Sequence, residues 1–374
     1  MSQSEWKYTT PTGRTDGWGV REMTTVLPRY EASKETLGNI LQGLPRYRIE
    51  QVWKSLYSDC GPTETWSTLP SELRTELDRT LPCSLRELHA STADDGLTTK
   101  FLYEVDGGSR IESVLMLYPD RATVCISSQA GCAMGCTFCA TGQQGFSRHL
   151  SSAELIEQVA RAKYAAAQQG RRLSNVVVMG MGEPLANEDA LWPAMQTVHD
   201  EFELSARHIT VSTVGLVPGI RRLADRPLPV TLAVSLHAAT DELRDTLIPM
   251  NRRYPIDDLI AACAEYVAQR KRRMSFEWAM IDGVNDDLDQ AARLAELCRR
   301  IRPIAHVNLI PLNRTSGYAF KGSTRQQIEK FQNVLLRRGV EATVRRNRGN
   351  DIDAACGQLA AITPVTISPQ SAKQ

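Results

Sequence analysis

The chain has 374 residues, a net charge of +1 and a hydrophobic fraction of 42%, which is ordinary for a globular protein. This length suffices for one large domain and a smaller one, and the composition excludes wholesale disorder. No hydrophobic run approaches a membrane span, and the N-terminus has no basic start followed by an apolar core, so we expect a cytoplasmic protein without membrane contact. A charge this close to zero neither indicates nor excludes a nucleic-acid partner.

The first third of the chain contains a helical part and a strand-rich part. We expect a flexible tail over residues 1–22 and a small helical accessory domain over 23–95. Residues 96–120 contain two strand-like runs, TTKFLYEV and SRIESVLMLY, joined by the turn Asp106-Gly107-Gly108. This pattern predicts a β-hairpin extension.

Residues 121–350 alternate short β-branched runs with helical patterns. The strand-like runs are ATVCISSQ, NVVVMGMG, HITVSTVG, VTLAVSLHA, MSFEWAMI and HVNLIPLN. Such alternation predicts an α/β fold with a parallel sheet and helical crossovers. Six units are fewer than the eight of a closed barrel, so we predict a partial (β/α)6 barrel, to which EATVRR adds an edge strand. Residues 351–374 form a separate C-terminal segment.

Most of these strands end in small or polar residues, and in parallel barrels the ligand site lies at the C-terminal strand ends. The strongest motif there is CAMGCTFC, which places Cys132, Cys136 and Cys139 on one loop. Three thiolates can ligate three irons of a [4Fe–4S] cluster and leave the fourth iron open to a substrate. A structural zinc site normally needs a fourth ligand close by, and the next His or Cys is His149. Three inert buried thiols are the remaining alternative.

A Cys-x3-Cys-x2-Cys loop after the first strand of a parallel barrel resembles the radical S-adenosylmethionine (SAM) superfamily. In that superfamily the open iron binds SAM, and one electron from the cluster cleaves SAM to methionine and a 5′-deoxyadenosyl radical. The next strand ends in GMGEP, which resembles the superfamily's Gly-Glu-Pro element and implies that Gly182 and Glu183 bind SAM. By itself, GMGEP is equally consistent with a tight turn.

Three longer stretches, CISSQAGCAMGCTFCATGQQGFSRHL, VVVMGMGEPLAN and RGNDIDAACGQL, extend the resemblance to the RlmN family over almost the entire chain. These dual-specificity methyltransferases place a methyl group on carbon 2 of adenine in 23S rRNA and tRNA. The resemblance implies a [4Fe–4S] cluster, two SAM molecules per turnover and further SAM ligands at strand ends. These ligands are Ser212, Ser235, Leu236, His237 and Asn313, each of which alone is also consistent with a satisfied residue at a strand end.

The resemblance also implies catalytic roles for Cys356, Cys125 and Glu112. Cys356 takes a methyl group from one SAM, and a second SAM converts it into a methylene radical that adds to carbon 2. Glu112 is the general base for the carbon-2 proton. Cys125 then attacks the Cys356 sulfur, which releases the RNA and leaves a transient disulfide that must be reduced. Without the resemblance, both cysteines are small buried residues, and Glu112 is a carboxylate that faces solvent.

Two other functions stay open on the sequence. The related group that methylates carbon 8 of the same adenine and confers antibiotic resistance uses equivalent cysteines, although GQQGF (142–146) and Pro184 resemble the carbon-2 group more closely. A non-catalytic iron–sulfur protein, which binds RNA or transfers electrons, would leave Cys125 and Cys356 without a purpose.

The resemblance implies that 23S rRNA and tRNA are partners, together with an electron donor for the cluster. We expect a monomer because the RNA partner is large. Chemistry on a base edge requires that base to leave its stack. Arg46 and Arg48 make the helical domain a candidate clamp on RNA phosphates, and a packing domain that closes the barrel is the alternative.

Overall fold

The computed structural model describes residues 26–313, 320–345, 348–349, 352–354 and 357–360. The chain divides into two compact units, Met1–Cys83 and Ser84–Gln374. The described part of the first unit is helical, and its core contains the buried side chains of Leu37, Leu56 and Leu77. Its helices are α1 (Lys34–Ile40), α2 (Tyr47–Lys54) and α3 (Ser71–Thr80).

The second unit contains one large mixed sheet and one small sheet within its described residues. The strands are β1 (Arg86–Ala93), β2 (Thr98–Glu104), β3 (Arg110–Leu117), β4 (Ala122–Cys125), β5 (Gln129–Gly131), β6 (Phe146–His149), β7 (Leu173–Val178), β8 (Ile209–Thr213), β9 (Thr231–Ser235), β10 (Ser275–Met280), β11 (His306–Pro311) and β12 (Ala342–Val344). The helices are α4 (Ala140–Gln143), α5 (Ser152–Gln168), α6 (Glu188–Asp200), α7 (Val217–Asp225), α8 (Asp241–Leu247), α9 (Ile256–Arg270), α10 (Leu288–Arg299) and α11 (Arg325–Arg337).

The large sheet has the order β1-β2-β3-β4-β7-β8-β9-β10-β11-β12. Neighbouring strands from β4 to β12 are parallel, and helices lie between consecutive parallel strands in the chain. This arrangement confirms the predicted partial barrel, and Ala342–Val344 of the predicted EATVRR run form the edge strand β12. Several of the helices between these strands begin at a residue whose side chain accepts a hydrogen bond from the first turn. At α5, for example, Ser151 and Glu154 form a capping box.

Strands β1 to β4 form an antiparallel meander that continues into the barrel sheet. Residues 86–93 are predicted above to belong to the helical domain, but in the structure they form the edge strand β1. Most side chains of this strand, RELHASTA, are exposed or half-buried, so no apolar alternation marks it in the sequence. Among the described residues, no helix is long and apolar enough to cross a membrane.

Candidate active site

The three motif cysteines lie on the loop between β5 and α4. This loop depends on close backbone approaches. A Cβ at Gly131 would lie 2.0 Å from the carbonyl oxygen of Gly145, and φ there is +73°. The Cys132 amide donates to that same oxygen at 2.8 Å. The loop can therefore fold back against β6 only because residue 131 has no side chain.

The cysteine loop offers an apolar, sulfur-rich environment. Cys132 and Cys136 are buried, and Cys139 is half-buried. Burial raises the pKa of the Cys132 thiol to about 12 and raises the pKa values of Cys136 and Cys139. The charges of the neighbouring thiols Cys139 and Cys132 also raise the pKa of Cys136. Cys136 packs in an apolar cluster with Leu247 and Ile248.

This donor set fits an iron–sulfur cluster. Three crowded thiolates repel each other, and cationic iron offsets that repulsion and keeps the thiols deprotonated. The apolar surroundings suit a cluster that is shielded from water. No group of three or more His, Cys, Asp or Glu side chains in the described part of the chain is arranged around a single metal ion.

The turn Gly182–Glu183 follows β7 and lies beside the cysteine loop. The Glu183 carboxylate is buried, and it accepts from the amides of Leu185 at 3.1 Å and Val214 at 2.8 Å. Burial raises the pKa of Glu183 to about 7, against the opposing effect of these hydrogen bonds. The Glu183 charge in turn raises the pKa of Cys132. The Glu183 amide donates to Oε1 of Gln129, in the strand that leads into the cysteine loop, at 2.8 Å. Gly182 and Glu183 would therefore be placed to hold SAM next to a cluster on that loop.

The other predicted SAM residues lie at neighbouring strand ends. Ser212 in β8 donates its hydroxyl to the carbonyl of Val178 at 2.7 Å, and Ser235 is the last residue of β9. Leu236 follows Ser235 and is buried, and Asn313 lies two residues beyond β11. Parallel pairing brings all of these strand ends to the same edge of the sheet, as the pattern of polar strand ends in the sequence predicts.

His237 has a left-handed backbone, with φ of +58°, and a buried ring. Its Nδ1 accepts from the Ala279 amide at 2.9 Å, which requires an unprotonated Nδ1. Burial, with the nearby Arg244 charge, lowers the pKa of His237 to about 3. The imidazole is therefore neutral, and its ring contacts Phe138 with centroids 4.8 Å apart.

Arg244 is a buried cation at this site that no motif in the sequence indicates. It lies in α8, and its guanidinium donates to the carbonyls of Val214 at 2.5 Å, Leu236 at 3.0 Å and Ser235 at 3.3 Å. It also donates to Oδ1 of Asn251 at 2.8 Å. Burial lowers the pKa of Arg244 to about 10. Arg244 thus joins the ends of β8 and β9 beneath the predicted SAM residues.

Glu112 and Cys125 lie on one face of the sheet. In the β3–β4 register Cys125 pairs with Val114, which is two residues from Glu112 and so points to the same side. Glu112 is 1% exposed, so the alternative of a solvent-facing carboxylate is wrong. Its Oε1 lies 2.9 Å from Nζ of Lys100, and its Oε2 accepts from the Ala360 amide at 2.9 Å.

The C-terminal segment meets the cysteine loop as well as Glu112. The Ala140 amide donates to the Gly357 carbonyl at 2.9 Å, and the Thr141 hydroxyl donates to the Leu359 carbonyl at 2.6 Å. Cys356 itself lies outside the described residues. The chain immediately after it is therefore in contact with both the cysteine loop and the carboxylate of Glu112.

Comparisons with known proteins agree with this geometry. A family model described as the radical SAM superfamily matches residues 126–295. A probable dual-specificity RNA methyltransferase RlmN of Parafrankia sp. (strain EAN1pec) is 49% identical over 341 residues, which cover 86% of this chain and 88% of that protein. The dual-specificity RNA methyltransferase RlmN 1 of Myxococcus xanthus (strain DK1622) is 47% identical, covering 89% of this chain and 94% of that protein. The crystal structure of a radical SAM methyltransferase from Sphaerobacter thermophilus matches with a TM-score of 0.84 and 46% identity, covering 90% of this chain and 100% of that one.

The partial barrel, the cysteine loop and the matched superfamily together define a radical SAM enzyme, whose cofactors are SAM and a [4Fe–4S] cluster. This confirms the superfamily resemblance and excludes the non-catalytic alternative. The sequence identity of 49% and 47% to the two RlmN proteins, over most of this chain and of theirs, identifies the family as well. The chain belongs to the RlmN family, and it is a SAM-dependent methyltransferase.

Proposed function

We propose that this enzyme places a methyl group on carbon 2 of adenine in 23S rRNA and tRNA. The names of its relatives, dual-specificity RNA methyltransferases, support RNA as the substrate class. The observation that carries the proposal is the meeting of three parts of the chain. The Ala360 amide contacts Glu112, and the Gly357 carbonyl contacts the residue that follows Cys139. A base, a cluster loop and the chain next to Cys356 are the groups that this reaction requires.

The cofactors would be held at the C-terminal edge of the sheet. Cys132, Cys136 and Cys139 would ligate the cluster. When bound, the cluster and SAM supply the methyl group and the organic radical that activates it, with two SAM molecules used per product. The residues that would hold SAM are Gly182, Glu183, Ser212, Ser235, Leu236, His237 and Asn313.

Three residues of the chain would act on the RNA in sequence. The Cys356 sulfur carries the methyl carbon to adenine as a methylene radical, and after that carbon is bonded to carbon 2, the Glu112 carboxylate accepts the carbon-2 proton. One electron must leave the adduct with this proton, to be accepted by a bound, oxidised cluster. The Cys125 sulfur then bonds to the Cys356 sulfur while the carbon–sulfur bond breaks. The bonding electron pair leaves with the carbon, which takes a proton and becomes the methyl group. A dithiol reductant must then reduce the disulfide.

The decisive experiment uses anaerobically reconstituted enzyme with SAM, a reductant and unmethylated 23S rRNA or tRNA. We expect 2-methyladenosine in the digested nucleosides, measured by mass spectrometry, and its loss in Cys356→Ala. Cys298→Ala, which removes another buried cysteine, serves as the matched control and should retain the product. An 8-methyladenosine product would move the enzyme to the carbon-8 group, and SAM cleavage without any methylated base would reject the proposed substrate.

The proposed partners also include a low-potential electron donor for the cluster, and we propose a cytoplasmic monomer. The two arginines predicted to contact RNA phosphates, Arg46 and Arg48, differ in exposure and in hydrogen bonding. Arg48 donates to Gln51 at 2.7 Å and to the carbonyl of Thr68 at 3.0 Å, so it is held within its own unit. Arg46 is exposed, as is the neighbouring Tyr47. This favours Arg46 as the phosphate contact.

A further inference from the structure

We propose that Lys100 is a positioning residue for Glu112, and that the Lys100–Glu112 ion pair anchors the C-terminal segment beside the base. The inference rests on the carbon-2 function proposed above, because that function makes Glu112 the general base. The family resemblance assigns no role to Lys100. Its position, contacts and burial assign one.

The sheet register places Lys100 on the same face as the proposed catalytic groups. Lys100 in β2 pairs with Val114 in β3, and Val114 pairs with Cys125 in β4. Glu112 pairs with Leu102, so Lys100 and Glu112 are diagonal neighbours on adjacent strands. Diagonal positions are within reach of long side chains. Lys100, Glu112 and Cys125 therefore share one face of three consecutive strands.

The contacts of Glu112 leave its carboxylate little freedom. Nζ of Lys100 lies 2.9 Å from Oε1, and the Ala360 amide donates to Oε2 at 2.9 Å. The backbone is held too, since the Ser127 hydroxyl donates to the Glu112 carbonyl at 2.5 Å. A proton acceptor works only within hydrogen-bond reach of its proton, so fixing both oxygens fixes the reaction geometry.

The ion pair contacts the chain on both sides of Cys356. Lys100 donates to the carbonyl of Asp353 at 3.3 Å, and Glu112 accepts from Ala360. Asp353 precedes Cys356 by three positions and Ala360 follows it by four. One side chain of the pair thus holds the chain before the proposed methyl carrier, and the other holds the chain after it.

Stability alone does not account for this pair. The side chains of Lys100 and Glu112 are 9% and 1% exposed. Buried ion pairs are often replaceable by apolar residues without loss of stability, because removing two charges from water offsets their attraction. Arg86 and Glu104 form another pair in the same meander, but the Arg86 side chain is 68% exposed. A charged carboxylate next to the C-terminal segment therefore points to a functional need.

The test compares Lys100→Met, Lys100→Arg, Glu112→Gln and the matched control Arg86→Met in the reconstituted full-length enzyme. We expect Lys100→Met to retain its cluster and Cys356 methylation, and to lose 2-methyladenosine formation by about 10²-fold, as displacement of a catalytic group does. Glu112→Gln should fail at the same step. Lys100→Arg retains charged donors and should be closer to wild type, and Arg86→Met should equal wild type.

A second measurement does not depend on activity. Hydrogen exchange of resting enzyme should be faster in peptides covering 352–360 for Lys100→Met and unchanged for Arg86→Met. Unchanged exchange in Lys100→Met would overturn the anchoring, and equal losses in Lys100→Met and Lys100→Arg would overturn the role of the charged group. If wild-type enzyme forms no 2-methyladenosine, the proposed function fails, while the exchange measurement still decides the anchoring.

Discussion

Single residues decide how closely the backbone segments of the active site approach each other. Gly182 has φ of +102°, and a Cβ there would lie 2.6 Å from Cβ and 2.8 Å from the amide nitrogen of Gln129. Gln129 in turn accepts from the Glu183 amide at 2.8 Å. A side chain at residue 182 would therefore push the Gly-Glu-Pro turn away from the partner that positions it.

We predict that Gly182→Ala weakens SAM binding by about 10²-fold, because the turn must shift to relieve the overlap. Isothermal titration calorimetry of anaerobically reconstituted enzyme measures this directly. Gly96→Ala is the matched control, since Gly96 also has a positive φ, of +82°, but a Cβ there meets nothing within 4 Å. Backbone strain alone costs about 1–2 kcal/mol at either position. An equal change in SAM affinity for both variants would contradict the overlap argument.

A charged residue on a buried face of a strand can mark function once the fold is known. In β2, Thr98, Lys100 and Leu102 alternate with more exposed residues, so Lys100 occupies a core-facing position. A lysine there requires a partner, which the structure identifies as Glu112. The aromatic residues Phe101 and Tyr103 alternate with Lys100 in the sequence and would predict that Lys100 faces solvent. Its burial was therefore decided by the tertiary structure.

At the scale of elements, the short helix α8 places the Arg244 guanidinium next to the ends of strands β8 and β9. The Thr240 side chain accepts from the Leu243 amide at the start of this helix. Arg244 then extends toward the carbonyls that follow β8 and β9. The sequence DELRDTL is typical of an exposed helix, so this burial could not be predicted from it.

We predict that Arg244→Met destabilises the enzyme by about 3–5 kcal/mol, because several buried acceptors lose a charged donor. SAM affinity should fall as well, since the ends of β8 and β9 are no longer joined. Thermal unfolding of the reconstituted protein, followed by circular dichroism, measures the first effect. Arg221→Met removes an exposed arginine that pairs with Glu265 on neighbouring helices and should leave the unfolding midpoint unchanged. Similar midpoints for the two variants would contradict the structural role of Arg244.

For the whole molecule, basic and acidic residues are almost equal in number, at 44 and 43. The proposed binding of RNA must therefore depend on local cations and not on a general positive field. Arg46 of the first unit is exposed, which makes it available to a phosphate.

We predict that Arg46→Ala lowers RNA affinity and reduces the slope of log affinity against log salt concentration by about one phosphate contact. Filter binding of tRNA across a salt series measures this slope. The control is Arg325→Ala, whose side chain is 94% exposed in the other unit. RNA binding that is insensitive to salt would reject a basic clamp altogether.

Local sequence was enough to predict the partial barrel, the cysteine loop and the Gly-Glu-Pro turn. The barrel follows from strand and helix periodicity repeated over residues 121–350. The loop and the turn each follow from cysteine spacing or a required glycine within one short stretch. Strand β1 could not be predicted in the same way, because an exposed edge strand carries no apolar alternation. The Arg244 contacts emerged only in the folded chain, as did the meeting of Glu112 with Ala360, which are 248 positions apart. Contacts at such separations depend on strand register and on chain crossings, and no local pattern of residues contains that information.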